Sequence, residues 1–151
     1  MKGESTLSLT WGELRKEVID LGFEEDETYP EYTRITVNAA NRALRILHTT
    51  VIPQIEDYLK GKWGHAETDE NGKEVWILPK FKALPLDVED EKKISIPEDL
   101  EPLVGLLVAH YVWLDDDLTK ATTYWNEYDD LKTQIIQSAK LVKKARIVGG
   151  F

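Results

Sequence analysis

The stretch from Leu103 to Leu114 consists almost entirely of apolar residues and is interrupted only by Gly105 and His110. Pro97 and the acidic residues after it precede this stretch. They are typical of a helix start, since proline presets φ and negative charge favours the N-terminal end of the helix dipole. A helix that is apolar on every side must be enclosed by other protein, and this one is too short for a bilayer, which takes about 20 apolar residues. We therefore predict a central helix, wrapped by the rest of the chain or by a neighbouring subunit.

The residues after the acidic joint at 115–117 predict a long amphipathic helix. Asp117 is a suitable N-cap, and apolar residues follow it at spacings of three and four. These apolar positions are Leu118, Ala121, Trp125, Tyr128, Leu131, Ile135, Ala139 and Val142. Because the joint is short, we expect this last helix to pack antiparallel against the central helix.

The first half of the chain predicts two more helices. Thr10 and Glu13 have the spacing of a capping box, which marks a helix start. A second helical pattern begins near Tyr32 or Thr33. It must end or kink before Pro53, because the residue before a proline is pushed out of the α region. A short helical piece is expected directly after that proline.

Residues 62–96 differ from the helical segments and predict an insert of hairpin and loop. Asn71-Gly72 is a pair that favours a type I′ hairpin turn, and Val75–Leu78 has the composition of a short strand. Lys93–Ile96 is expected to form one more short strand. The predicted fold is therefore mainly α: one domain over 1–151, an antiparallel bundle of about four helices with this insert between helices two and three.

The composition limits the classes of partner and site. The formal net charge of −9 argues against non-specific binding of nucleic acid. The absence of cysteine excludes disulfides, thiolate metal sites and cysteine catalysis, and suits a reducing compartment. We find no apolar leader at the N-terminus and no segment long enough for a membrane, so we expect neither a signal peptide nor membrane insertion.

The charge is unevenly distributed along the chain. From Lys140 to the C-terminus there are four cations, which are Lys140, Lys143, Lys144 and Arg146, and no acidic residue. Two explanations remain open at this stage. The cations either complement the dipole at a helix C-terminus or allow a basic tail to dock onto a partner.

No pattern of titratable residues indicates catalysis. His48, His65 and His110 lack the Glu-x-x-His and His-Glu-x-x-His spacings of metal sites, and phosphate loops and nucleophile elbows are missing. Consecutive aspartates on a turn point in different directions, so capping explains them better than a metal does. We expect no enzymatic activity, no metal and no cofactor. The alternative is a small helical enzyme or ligand-binding domain with a site near His110, Asp115 and Asp117.

Aromatic residues are unusually frequent, with five tryptophans and six tyrosines. Several lie in the last two predicted helices. Tyr111, Trp113, Tyr124 and Trp125 are our candidates for a subunit interface, because aromatic residues are enriched at the centres of interfaces. The alternative is that these side chains belong to an aromatic core.

Several stretches together resemble the head-tail connector proteins, also called adaptor or head-completion proteins, of tailed bacteriophages and prophages. The stretches are YPEYTR, VNAANRALRIL, IPEDLEPLVGLLVAHYVWLDDD and KATTYWNEYDDLKTQI, and the resemblance extends from about Trp11 to Lys144. In those proteins the helix before the acidic joint is followed by a helix in which alanine precedes a tyrosine-rich segment. Ala121 precedes Tyr124 and Tyr128 in the same way here.

The resemblance implies a subunit of the neck of the virion, made in the cytoplasm of the bacterial host. Copies would form a ring, usually of twelve, between the portal protein and a stopper or tail-completion protein, and DNA would pass through it without sequence-specific binding. Members of this family commonly grip the portal with a C-terminal arm, which corresponds to about 143–151 here. The portal-binding residues would then be Lys143, Lys144, Arg146, Ile147, Val148 and Phe151. A tail-completion or neck protein of the same particle is the alternative.

Overall fold

The computed structural model describes residues 9–20 and 30–148. In this part of the chain the fold is mainly helical, with four helices of ten residues or more, one short helix and one hairpin. The elements are α1 (Trp11–Asp20), α2 (Pro30–Ile46), α3 (Glu56–Trp63), β1 (His65–Thr68), β2 (Glu74–Ile77), α4 (Glu101–Trp113) and α5 (Leu118–Val148). The predicted fold class, a helical bundle with a hairpin insert, is therefore confirmed.

Helix α4 lies at the centre of the bundle. Leu103, Val104, Leu107 and Val108 are fully buried, and α4 packs against α1, α2 and α5. Pro102 lies in the first turn of the helix, where its missing N–H removes no intrahelical hydrogen bond. The chain itself thus encloses the helix that the sequence predicts to be buried.

Truncation of one side chain on this helix tests its role in stability. We expect Leu107→Ala to lower the free energy of unfolding by about 2–5 kcal/mol, because the substitution leaves a cavity among residues that cannot fully collapse. Urea unfolding followed by circular dichroism measures the change. Leu86→Ala is the matched control, since Leu86 is 56% exposed, and its effect should stay within about 0.5 kcal/mol. Equal effects of the two substitutions would contradict the central position of α4.

Helix α5 runs antiparallel to α4 and extends well beyond it. The two helices have 31 and 13 residues, which correspond to lengths of about 46 and 20 Å. The predicted apolar stripe on α5 is therefore only partly correct. Ala121, Tyr128 and Ala139 are buried, whereas Leu118 is 67% and Val142 40% exposed.

The end of helix α2 is irregular, as Pro53 predicts. After Ile46 the chain forms a π-helical turn over Leu47–Val51 and then a 3-10 turn over Ile52–Ile55. The hydroxyl of Thr50 donates to the carbonyl oxygen of Ile46 at 2.7 Å, a side-chain bond that offers the backbone an alternative to the regular ladder. The kink directs α3 towards α5, with which it makes contact.

The start of α1 contains the predicted capping box. The Thr10 N–H donates to Glu13 Oε1 at 3.1 Å, and the Glu13 N–H donates to Thr10 Oγ1 at 3.2 Å. The Thr10 hydroxyl also donates to Glu13 Oε1, at 2.8 Å. This bond and the one from the Thr10 N–H hold the pKa of Glu13 below its ordinary value. The strand predicted over Lys93–Ile96 is wrong, because among the residues that the structure describes this segment forms a single bridge, from Lys93 to Thr10, and no strand. Helix α1 begins at Trp11, directly after Thr10, so the pairing does not continue in that direction.

The hairpin is present, but its predicted turn type is wrong. β1 and β2 pair antiparallel, and Gly72 has φ of 77°. A type I′ turn needs positive φ at both central residues, and no non-glycine residue in the described part of the chain has it. Asp69 Oδ1 instead accepts the N–H groups of Asn71 and Lys73, both at 2.9 Å. This side chain stabilises a longer loop in which only glycine is left-handed.

The rest of the insert is fastened to one face of α2. Asn41 donates from Nδ2 to the Leu84 carbonyl at 2.9 Å and accepts the Leu84 N–H at 2.7 Å. His48 Nε2 donates to the Ser95 carbonyl at 2.8 Å, and burial lowers the pKa of His48. The guanidinium of Arg45 lies 5.1 Å from the ring centre of Phe81. Polar residues that look solvated in the sequence thus hold the insert in place.

The two hydrogen bonds between Asn41 and Leu84 can be tested on one helix with a matched pair of variants. Asn41→Ala should lower the free energy of unfolding by about 1–3 kcal/mol, because it leaves the polar backbone groups of Leu84 without their partner. Asn38→Ala removes the same side chain from an exposed position of α2. If urea titration gives equal midpoints for both variants, Asn41 does not fasten the insert.

Candidate functional site

The aromatic candidates Tyr111 and Trp125 belong to one ring cluster between α4 and α5. The ring of His110 lies between them, with centroids 4.8 Å from Tyr111 and 5.1 Å from Trp125. Trp125 in turn lies 5.2 Å from Tyr128. Trp125 is 36% exposed, so the cluster reaches the surface of the bundle. We call His110, Tyr111, Trp125 and Tyr128 the aromatic cluster.

The position of His110 is set by a hydrogen bond across the helix pair. Its Nδ1 lies 2.7 Å from the carbonyl oxygen of Ala121. Because a carbonyl oxygen only accepts, Nδ1 carries the hydrogen, and Nε2 is the unprotonated nitrogen of the neutral ring. His110 thus joins α4 to the beginning of α5, the structural role that a lone histidine in an apolar helix usually has.

Cations lie over several of the aromatic rings. The guanidinium carbon of Arg42 is 4.3 Å from the ring centre of Tyr111, and the Nζ atom of Lys132 is 5.3 Å from that of Tyr128. Cation–π contacts at exposed sites each contribute about 0.5–1 kcal/mol. Arg42 comes from α2, a helix distant in sequence from the rings. No spacing in the sequence indicates this contact, so the sequence analysis missed it.

The other two interface candidates have different surroundings. Trp113 is half-buried, and the Nζ atom of Lys120 lies 4.1 Å from the centre of its ring. Tyr124 is half-buried as well, and its pKa is raised by burial and by the charge of Glu127. All four candidates thus lie on the α4–α5 pair, and two of them share the aromatic cluster.

Tyr128 is the most deeply buried member of the aromatic cluster, at 1% exposure. Burial, followed by the effects of Tyr111 and Asp129, raises its pKa to about 12, against the opposing effect of a hydrogen bond with Thr50. Since the unfolded value is about 10, the folded state keeps a proton that the unfolded state has lost between pH 10 and 12. The contribution of Tyr128 to the free energy of unfolding is therefore fully present below pH 10 and is lost as the pH rises through this window.

This delayed ionisation can be measured directly. We expect the tyrosinate absorbance of the folded protein to include a late phase, in which Tyr128 ionises. Tyr128→Phe should remove the late phase, because it removes the buried hydroxyl and keeps the ring. Circular dichroism at each pH identifies the range in which the chain is still folded. If the late phase persists in Tyr128→Phe, the tyrosine that ionises late is a different residue.

The side chains considered for metal binding have other partners or functions. Within residues 9–20 and 30–148, no group of three or more histidine and carboxylate side chains is arranged to hold a metal ion. His65 Nε2 donates to Glu67 at 2.9 Å on the exposed hairpin. Asp117 accepts the Lys120 N–H at 3.1 Å and is the predicted N-cap of α5. Asp115 is exposed beside this joint.

The predicted portal-binding arm lies partly outside the described residues. The backbone of 143–148 continues α5 as helix, so these positions of the predicted arm are helical. The side chains of Lys143, Lys144, Arg146, Ile147 and Val148 are not among those the structure describes, and neither is Phe151. The role of the arm therefore stays a prediction.

Among the described helices, none combines the length and the apolar character that a membrane span requires. Comparisons of the chain with protein-family models, with curated proteins and with solved structures found no match. The function of this chain must therefore be inferred from its own residues and their arrangement.

Proposed function

We propose that this chain is a structural subunit of the head-tail connector of a tailed bacteriophage or prophage particle. Copies form a ring, usually of twelve, between the portal protein and a stopper or tail-completion protein, and DNA passes through its centre. One observation carries the proposal. The two longest stretches of the resemblance, residues 96–117 and 120–135, fold as neighbouring parts of one antiparallel helix pair, α4 and α5.

The surface of this helix pair supports a role in assembly. Trp125 and Leu118 expose 36% and 67% of their surface, and Arg42 lies over the ring of Tyr111. Tryptophan, tyrosine and arginine are the residues most enriched among those that dominate binding energy at interfaces. An aromatic cluster that reaches the surface at Trp125 suits contact with another protein subunit.

The charge of the chain supports passage of DNA rather than its binding. A net charge of −9 repels phosphate groups, and attraction between cations and phosphates supplies essentially all non-specific affinity for DNA. An acidic ring would therefore let DNA slide through without adhering. From Lys140 onwards the sequence has four cations and no acid, a composition that suits a contact with an acidic protein surface.

The alternative of a metal- or ligand-binding domain centred on His110 has less support. The Nδ1 atom of His110 is engaged by the Ala121 carbonyl, and the carboxylate of Asp117 caps α5. Both groups thus act within the fold. A tail-completion protein of the same particle would have a similar bundle, and the particle phenotype separates it from a connector.

Electron microscopy of particles that lack this protein tests the proposal. We expect filled or leaking heads beside free, finished tails, because the head-tail joint cannot form. Complete heads beside unfinished tails would favour the tail-completion protein instead. Normal, infectious particles would remove the connector function.

The predicted portal-binding arm is tested by supplying a shortened chain to particles that lack this protein. A chain that lacks residues 146–151 should restore neither the joint nor infectivity. Its melting temperature should match that of the full chain, because the last buried residue described on α5 is Ala139. The full chain and Leu86→Ala should both restore joined particles. Full rescue by the truncated chain would show that these residues do not grip the portal.

A further inference from the structure

A groove runs between α5 and the segment from Pro53 to Tyr58. It consists of two adjoining hollows of about 340 and 290 Å³, which share Tyr58 and Ala139. Ile55 and Ala139 are buried in its floor, at 3% and 4% exposure. Leu131, Ile135 and Val142 line its other end. The groove is therefore apolar at its base and large enough to take side chains of another helix.

The wall of the groove opposite α5 is acidic. Glu56 and Asp57 line one hollow and Asp99 lines the other. Asp57 pairs with Lys60 at 3.3 Å and Asp99 with Lys62 at 3.2 Å. Within the described part of the chain, Glu56 has no ion-pair partner. An exposed acid beside an apolar floor favours an occupant that is basic and apolar at once.

The C-terminal end of α5 has this combination. Leu141 is 65% exposed, and Ala145 and Val148 follow it in the sequence at spacings of four and three, the repeat of one helix face. Lys143, Lys144 and Arg146 are interspersed, and no acid occurs from Lys140 onwards. This segment of the chain thus has the charge and the apolar repeat that match the groove.

The groove cannot receive the end of its own helix. Helix α5 is continuous from Leu118 to Val148, and Ala139 already forms one wall of the groove. The end could turn back only if the helix broke. Leu141 lines neither hollow and lies about 200° around the helix from Ala139, at about 100° per residue. One chain can therefore present Leu141 and hold a neighbour in its groove simultaneously.

We propose that the groove binds the C-terminal end of α5 from a second copy of this chain. Leu141 of the neighbour enters the apolar hollow, and its Lys143 and Lys144 lie near Glu56 and Asp57, while residues 146–151 stay outside the groove for the portal contact of the proposed function. Because the two surfaces differ, the contact is head-to-tail and repeats from copy to copy, as in a ring or a filament. The inference rests on the proposed function and deepens it, since it names the contact by which copies join into the ring.

Cysteine cross-linking locates the contact, since the chain contains no native cysteine. One preparation carries Gln54→Cys, at an exposed position that lines the groove, and a second carries Gln137→Cys, at an exposed position one turn before Leu141, which is kept. A short thiol cross-linker should join the two preparations when they are mixed, and yield far less product in either alone. Leu86→Cys replaces Gln137→Cys in the control mixture, because Leu86 is exposed as well but lies on the insert. Equal product in both mixtures would overturn the proposal.

Sedimentation analysis measures the strength of the contact. The unmodified chain should self-associate as its concentration rises. Glu56→Lys should weaken this association at least about tenfold, which is 1.4 kcal/mol, because it places a cation against the basic segment. Leu141→Ala should weaken it similarly. Glu127→Lys makes the same charge change at an exposed position of α5 outside the groove, and its association should equal that of the unmodified chain.

Two results of the sedimentation experiment would overturn the interface. One is an unmodified chain that stays monomeric up to about 1 mM, a dissociation constant that corresponds to only about −4.1 kcal/mol. The other is association that Glu56→Lys and Glu127→Lys weaken equally. Both results leave the particle phenotype untouched, so failure of this interface is distinguishable from failure of the connector function.

Discussion

The burial of α4 is the constraint on which the rest of the structure depends. A helix whose side chains are apolar on every face gains stability only where other elements exclude water. Helices α1, α2 and α5 therefore each cover one side of it. The capping box at Thr10 and the kink at Pro53 matter because they set where the covering helices begin and end. A bundle with any of these helices missing would leave part of α4 in water.

Polar side chains in this protein mainly hold its elements together. Asn41 and His48 fasten the insert to α2 through the backbone of Leu84 and Ser95, and His110 joins α4 to α5. Each bond satisfies a backbone carbonyl in a partly buried place, where an unpaired polar group would be costly. Histidines that invite a chemical interpretation in the sequence are thus accounted for by the fold.

Two surfaces near opposite ends of α5 carry our functional proposals. Near the joint, the aromatic cluster reaches the surface at Trp125. At the far end, α5 continues beyond α4 and leaves Leu141 exposed beside a basic segment, while its other face forms a groove with α3. A protein built for assembly needs at least two such surfaces, one for each neighbour. The same helix contributes to both.

Features that depend on local spacing follow from the sequence alone. It predicts the enclosed helix, the capping box, the kink at Pro53 and the place of the hairpin, because each follows from residues close together in the chain. The candidates for a subunit interface, Tyr111, Trp113, Tyr124 and Trp125, stay a prediction. The hairpin turn, which Asp69 controls, and the cation of Arg42 over Tyr111 emerge only in the folded chain. Both features depend on contacts between side chains and backbone groups that the fold brings together. The periodicity of the sequence does not indicate such contacts.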